Sequence, residues 1–385
     1  MRTVIQGGTL LTPFETLSDA CLVLEDSRVV DILPAGTAAT GDEVIDADGL
    51  WVAPGLIDVH MHGCAGFDTM QATPEALRGM ARFQARHGVT AYLATTPAAS
   101  RDELRRVVEA VAACPQPDDG AHHLGVHLEG PYLNHEHRGA QPPDQLRPPD
   151  PAEYSEWLDS ESVRMITLAP ELPGALTLIE KGVARGIEFA VGHSGASYEA
   201  LMAAADRGLR HATHTFNGML GLHHREPGTV GGVLADDRIY AQVIADGVHV
   251  HPAVVSLLVR AKGPGRVLLI TDSTRAAGLT DGQYELAGQP IYVRDGVART
   301  SAGGLAGSTI TLDAALRNVL AFAGVSFPEG LRMATASPAE AMGWAGRKGV
   351  LAAGADADVI LFDRELHVRL TIVAGRIVYR SESSL

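Results

Sequence analysis

The chain has 385 residues, 46% of them hydrophobic, enough to bury the core of one large α/β domain and a smaller companion. With 31 basic against 46 acidic side chains the net charge is −15, which excludes the basic surface that a nucleic-acid partner needs. No apolar run reaches the roughly 18 residues of a membrane span, so no membrane partner is expected.

The first 50 residues read as short strands, TVIQGGTLL, ACLVLEDSRVVDILP and EVIDADGLWVAP, separated by turns at Gly7-Gly8, Asp26-Ser27 and Asp48-Gly49. The start, MRTVIQGGTLLTPFETL, lacks the long apolar stretch of a secretory signal. Cys21, Cys64 and Cys114 form no CxxC and no even framework. A reducing, cytoplasmic setting is expected.

Next comes GLIDVHMHG, residues 55–63. In a strand, side chains two apart share a face, so His60 and His62 project together with Met61 opposite. That pair suits a metal ion; taken alone it suits two surface histidines at a strand end equally well.

From here the chain alternates. Helix-like TPEALRGMARFQARHG precedes VTAYLATT, RDELRRVVEAVAAC precedes HLGVHLEG, and LPGALTLIEKGVARG precedes IEFAVGHSG. SYEALMAAADRG then precedes LRHATHTFN, and PAVVSLLVRAKG precedes RVLLITDST. Repeated units of this length predict a parallel sheet, and their number favours a (β/α)8 barrel of the TIM type over an open sheet. No GxGxxG follows a first strand, which weakens a dinucleotide-binding reading, and GGLAGST (303–309) lacks the lysine of a phosphate loop. The last 40 residues return to strands, KGVLAAGADADVILFD and LHVRLTIVAGRIVYR, with a turn at Ala374-Gly375. Both ends are therefore expected to build one small β-sandwich domain, residues 1–52 and 345–385, around a barrel at 53–344.

In such a barrel the chemistry lies at the C-terminal ends of the strands. GLIDV is followed by His60 and His62, LGVHL by Glu129, IEFAVG by His193, LRHAT by His214 and RVLLIT by Asp272. Each alone reads as a satisfied structural histidine or a capping carboxylate. Together, at five strand ends, they would converge on one mouth. Histidine and carboxylate without cysteine suit Zn²⁺ or a similar divalent metal, and the chemistry expected is metal-assisted hydrolysis. The other histidines carry no such expectation. His211 faces away from His214, His122 and His123 flank the third strand, and His127 suits a packing or supporting role. His135 and His137 lie in a polar loop, and His251 sits near the start of a helix.

GLIDVHMHG resembles the first-strand signature of the amidohydrolase superfamily, and KGVLAAGADADVILFD resembles its composite β domain. HLEGPYLN, RGAQPP, VGHS, HTFNGM, REPG, DGVH, ITDST and LAGST, in that order, resemble the N-acetylglucosamine-6-phosphate deacetylases of that superfamily. The resemblance implies Glu129, His193 and His214 as ligands of a main metal site, with His60 and His62 completing a second. One or two divalent ions are thus implied, zinc first, with iron, manganese, cobalt or nickel as alternatives. It implies Asp272 as catalytic acid and base. It implies Gln141, Asn217, Gly218, Arg225 and His249 as substrate contacts, with the backbone around Leu305 on the acetamide side. It implies a homodimer in which Arg225 reaches the neighbouring subunit's site. The implied substrate is an amino-sugar phosphate, and the implied reaction is hydrolysis of its acetamide. The galactosamine epimer or another N-acyl substrate is the nearest alternative. A phosphatase and a non-enzymatic scaffold are more distant ones.

Overall fold

The computed structural model describes residues 1–12, 15–37 and 39–382. Eight strands form the central sheet: β1 (Leu56–Met61), β2 (Val89–Thr96), β3 (His122–Glu129), β4 (Val163–Leu168), β5 (Glu188–Val191), β6 (His211–Ala212), β7 (Tyr240–Ile244) and β8 (Val267–Ile270). Each pairs in parallel with the next in sequence. β1, β2 and β8 are buried along their whole length, which is why they read as continuous apolar runs rather than alternating ones. The sheet closes into a barrel where β8 returns to β1. There the Asp272 N–H donates to the His60 carbonyl at 2.8 Å, and Thr271 Oγ1 donates to Asp58 at 2.6 Å.

Helices Pro74–Arg86, Arg101–Ala113, Ala175–Val183, Tyr198–Asp206 and Pro252–Lys262 lie where the sequence pattern places them. Their starts follow from local chemistry. Thr73 caps the first, with Pro74 at its first position. Ser100 and Glu103 form a reciprocal capping box on the second. Helix Gly228–Ala235 was not legible in the sequence: GTVGGVLA is glycine-rich and buried nearly all round, so it shows no amphipathic period.

The chain ends build two sheets. One orders strands 28–33, 21–25, 2–6 and 43–46; the other orders 376–380, 368–373, 359–362, 51–54, 9–11 and 16–18. Ile5, Leu22 and Leu24 of the first pack with Val52, Val359, Leu361 and Ile372 of the second in a core separate from the barrel's. This is the expected β-sandwich from both termini, packed face to face. Strand Trp51–Pro54 passes into β1 through Gly55, where a Cβ would lie 2.0 Å from Thr90 Oγ1. Only glycine fits that crossing.

A three-stranded antiparallel sheet, Gly282–Leu286, Gln289–Arg294 and Val297–Thr300, follows β8 before the next helix. No sequence-based expectation covered it. Ile291, Val293 and Ala298 pack on Ala276 and Ala306, with Ala140 alongside, which sets the sheet over the barrel mouth.

Candidate metal centre and substrate cavity

His60 lies in β1 and His62 one residue past its end, and their Nε2 atoms are 3.4 Å apart. The His60 N–H donates to Asp58 Oδ1, 3.1 Å away, so the carboxylate two residues upstream braces the strand end. Glu129 ends β3. Its Oε1 is 3.0 Å from His193 Nε2 and 2.9 Å from His214 Nε2. Its Oε2 is 3.2 Å from His62 Nε2. Asp272, just past β8, sets Oδ1 at 3.4 Å from His60 Nε2 and 3.2 Å from His62 Nε2. All six side chains are buried.

Two overlapping groups could each hold a metal ion, His60–His62–Glu129 and Glu129–His193–His214, with Glu129 common to both. The chemistry of the donors fits a divalent cation. His62 Nδ1 faces the Thr95 carbonyl at 3.3 Å, and His193 Nδ1 faces the His137 carbonyl at 3.0 Å. A carbonyl only accepts, so each Nδ1 carries the proton and each Nε2 turns a lone pair to the centre. His193 and His214 likewise bring their Nε2 atoms to 3.2 Å. Lone pairs crowded this closely around a carboxylate need a cation among them. Without one, protons take that part: burial would lower His62, but hydrogen bonds to Asp272 and Glu129 push it up to about 10. Burial would raise Glu129, yet the charge of His60 and the hydrogen bonds of His193, His214 and His62 hold it well below the ordinary carboxylate range. Asp272 is likewise held low by His60 and His62 against the effect of burial.

His193, His214 and Asp272 have φ of 48°, 32° and 47°. Left-handed backbone at non-glycine residues costs on the order of 1–3 kcal/mol each and persists only where the surroundings impose it. Here they do. Glu171 accepts from Ser194 Oγ and from Gly195 N, each at 2.7 Å, and so ties down the His193 loop. Asp272 is held between the His60 carbonyl and Ser308 N–H, both at 2.8 Å.

The centre forms the floor of a cavity of about 330 Å3. Of the remaining residues singled out from sequence, Gln141, Asn217, Gly218, His249 and Leu305 line its wall. Gly218 has φ 61°, and a Cβ there would lie 2.9 Å from His193 Nδ1, so the backbone approaches the centre as only glycine allows. His249 Nδ1 lies 2.6 Å from Asp246 Oδ2. The turn at Leu286–Ala287 and Thr300 of the antiparallel sheet complete the wall. Arg225 is not among the lining residues. It lies in an exposed loop and donates to His224 Nε2 at 2.8 Å.

His127 is fully buried below the centre, between the Val59 carbonyl at 3.1 Å and Thr167 Oγ1 at 2.7 Å, in the supporting part expected of it. His211 faces away and meets the Ala341 carbonyl at 3.1 Å. His251 caps the helix starting at Pro252. Sequence reasoning passed over Asp58, although its position two residues before His60 put it on the same strand face.

The model of the amidohydrolase family matches residues 51–378. The chain is 38% identical over 380 residues to an N-acetylgalactosamine-6-phosphate deacetylase of Escherichia coli O157:H7, covering 98% of this chain and 99% of that one. It is 37% identical to an N-acetylglucosamine-6-phosphate deacetylase of Vibrio furnissii, covering 95% and 92%. Among solved structures it resembles a mutant N-acetyl-D-glucosamine-6-phosphate deacetylase of Mycobacterium smegmatis in complex with N-acetyl-D-glucosamine-6-phosphate. That likeness has a TM-score of 0.91 and 35% identity, and it covers 98% of this chain and 99% of that one.

Proposed function

The chain belongs to the amidohydrolase family, and from that premise we propose that it hydrolyses the acetamide of N-acetylglucosamine 6-phosphate to glucosamine 6-phosphate and acetate. The observation that carries this is the gathering of Glu129, His62, His193, His214 and Asp272, with His60 buried beside them, on the floor of one cavity whose wall offers His249, Asn217 and the Gly218 backbone. A divalent metal held by Glu129, His193 and His214, with a second at His60 and His62, would polarise the acetyl carbonyl and make water acidic enough to attack at neutral pH. Zinc is the ion we assign, on imidazole and carboxylate donors with no thiolate; iron, manganese, cobalt and nickel accept the same set.

Asp272 takes a proton from the attacking water as the new C–O bond forms. It returns that proton to the nitrogen as the C–N bond breaks, so acetate and the free amine leave with atoms balanced. Its fixed place, with Oδ1 3.4 Å from His60 Nε2 and 3.2 Å from His62 Nε2, sets the carboxylate at the edge of the centre, where it acts as base. Asn217, the Gly218 N–H and His249 bind the sugar phosphate, and the Leu305 backbone lines the acetamide side. Arg225, outside its own chain's cavity, completes the phosphate site of the partner in a homodimer. We place the reaction in the cytoplasm: all three cysteines are free thiols, and no described helix is long and apolar enough to cross a membrane. We divide the chain into a sandwich, residues 1–52 and 345–385, and a catalytic barrel, 53–344.

The Escherichia coli relative supports a second reading, the same chemistry on the galactosamine epimer. Incubating the metal-loaded protein with each epimeric 6-phosphate and measuring acetate decides between them. Release of inorganic phosphate instead of acetate from both would overturn the proposal.

A further inference from the structure

Gln141 was expected to touch substrate, yet its side-chain amide is held by two protein groups. Its Oε1 accepts from the Ala98 N–H at 2.8 Å, and its Nε2 donates to Glu129 Oε2 at 2.7 Å. The Ala98 N–H can only donate, so it decides which end of the amide faces Glu129. The backbone is fixed as well, because Gln141 N–H donates to the Arg138 carbonyl at 3.0 Å. The side chain is buried at 8% exposure.

Glu129 divides its two oxygens. Oε1 serves His193 and His214, while Oε2 faces His62 and Gln141. The last torsion of a glutamate is broad and roughly two-fold, so the carboxylate does not choose this orientation unaided. Turned otherwise, it could give both oxygens to the His193–His214 side and leave His60 and His62 without a carboxylate. Among the described residues, Gln141 is the neutral donor that pins Oε2 on the His62 side.

We propose that Gln141 is a positioning residue that keeps Glu129 bridging, and so selectively maintains the metal site completed by His60 and His62. This rests on the metal-centre reading above. Partners of this kind, hydrogen-bonded to a metal ligand, typically change affinity 10- to 100-fold.

Zn²⁺ titration of the stripped full chain, followed by calorimetry and by metal content after dialysis, tests it. The wild type should take up two ions. Gln141→Met, close in shape but without the amide, should weaken one of the two about tenfold or more and leave the other within threefold. In a His60→Ala/His62→Ala background, where only the Glu129–His193–His214 site remains, adding Gln141→Met should change nothing beyond threefold. A loss of overall folding would weaken both sites in the otherwise wild-type chain and the remaining site in the His60→Ala/His62→Ala background, and that result would overturn the inference. Unchanged affinity at both sites would overturn it too. A wild type that takes up no ion refutes the metal-centre reading and the inference with it, whereas a wild type with two ions and an indifferent Gln141→Met refutes the inference alone.

Discussion

Asp272 meets His60 twice: its backbone N–H donates to the His60 carbonyl at 2.8 Å, and its carboxylate lies 3.4 Å from the same residue's Nε2. The first contact joins the last barrel strand to the first. The second places a carboxylate beside two imidazoles. Closing the barrel and assembling the centre are thus one event, and the side chain of Asp272 can be altered without removing the bond that closes the barrel.

Asp272→Asn is therefore expected to fold and to retain metal, but to lose its proton carrier. Turnover should fall about 10²-fold or more. Steady-state kinetics with metal content measured on the same sample checks this; kcat within threefold of the wild type would remove Asp272 from the acid–base role.

Glu129 stands in both ligand groups, whereas His60 and His62 stand in one. Glu129→Gln should abolish activity and strip metal from both sites. His60→Ala/His62→Ala should keep one ion at Glu129, His193 and His214 and retain partial activity. Elemental analysis after dialysis distinguishes the two variants, and an empty double variant would contradict this division.

His249 predicts a pH dependence. Burial would lower its pKa, but the hydrogen bond to Asp246 outweighs this and raises it above the usual 6.5. The ionised Asp246 accepts from Nδ1–H, so Nε2 carries a proton toward the cavity only in the imidazolium form. Phosphate binding is then fully supported below about pH 6.5 and lost as pH rises through the higher folded value. The substrate's own phosphate, with a second pKa of about 6, is already dianionic in that range. KM should rise as the pH is raised above about 6.5 in the wild type. In His249→Gln it should start higher and stay flat; a parallel rise there would assign the effect to another group.

Arg225→Met should raise KM for the 6-phosphate about tenfold or more, as expected for loss of a guanidinium fork on phosphate, and affect the unphosphorylated sugar less. Mixing Arg225→Met with Asp272→Asn chains under subunit exchange should restore activity at low substrate. One mixed site then combines an intact Asp272 with the other chain's Arg225. Proven heterodimers without recovery would return Arg225 to its own chain.

A buried ion cluster in the C-terminal segment is also testable. Lys348 Nζ is buried 2.7 Å from Asp358 Oδ2 and 3.1 Å from Asp356 Oδ2. Lys348→Met would leave the buried Asp358 carboxylate without its cation, while Asp356 keeps Arg28 at 2.5 Å, at a cost of about 3–5 kcal/mol. A lower denaturant midpoint at unchanged slope checks it; a loss below about 1 kcal/mol, the range of an exposed pair, would show that the cluster is solvated.

Much of this molecule could be read before any coordinates. The alternation of apolar runs with helix-period stretches encodes a barrel, because burial on both faces and amphipathic burial leave different local periods. His60, His62, Glu129, His193, His214 and Asp272 each close an apolar run in the sequence, and they stand together at the barrel mouth because parallel strands all end on the same side. The two β-rich ends were legible from their short apolar runs and regular turn residues. Contacts that no local period encodes were not. Gln141 lies 12 residues from Glu129 across an irregular loop, and nothing in RGAQPP says which way its amide turns; the Ala98 N–H, a distant backbone group, settles that. The antiparallel sheet at 282–300 alternates on one face only and gave no helix to count. Arg225 shows the converse: its place outside the lining of its own chain's cavity follows from how the loop after β6 leaves the barrel. Local periods are set by neighbours along the chain, whereas the direction of a loop side chain is set by whichever remote donors and acceptors the closed barrel brings to it.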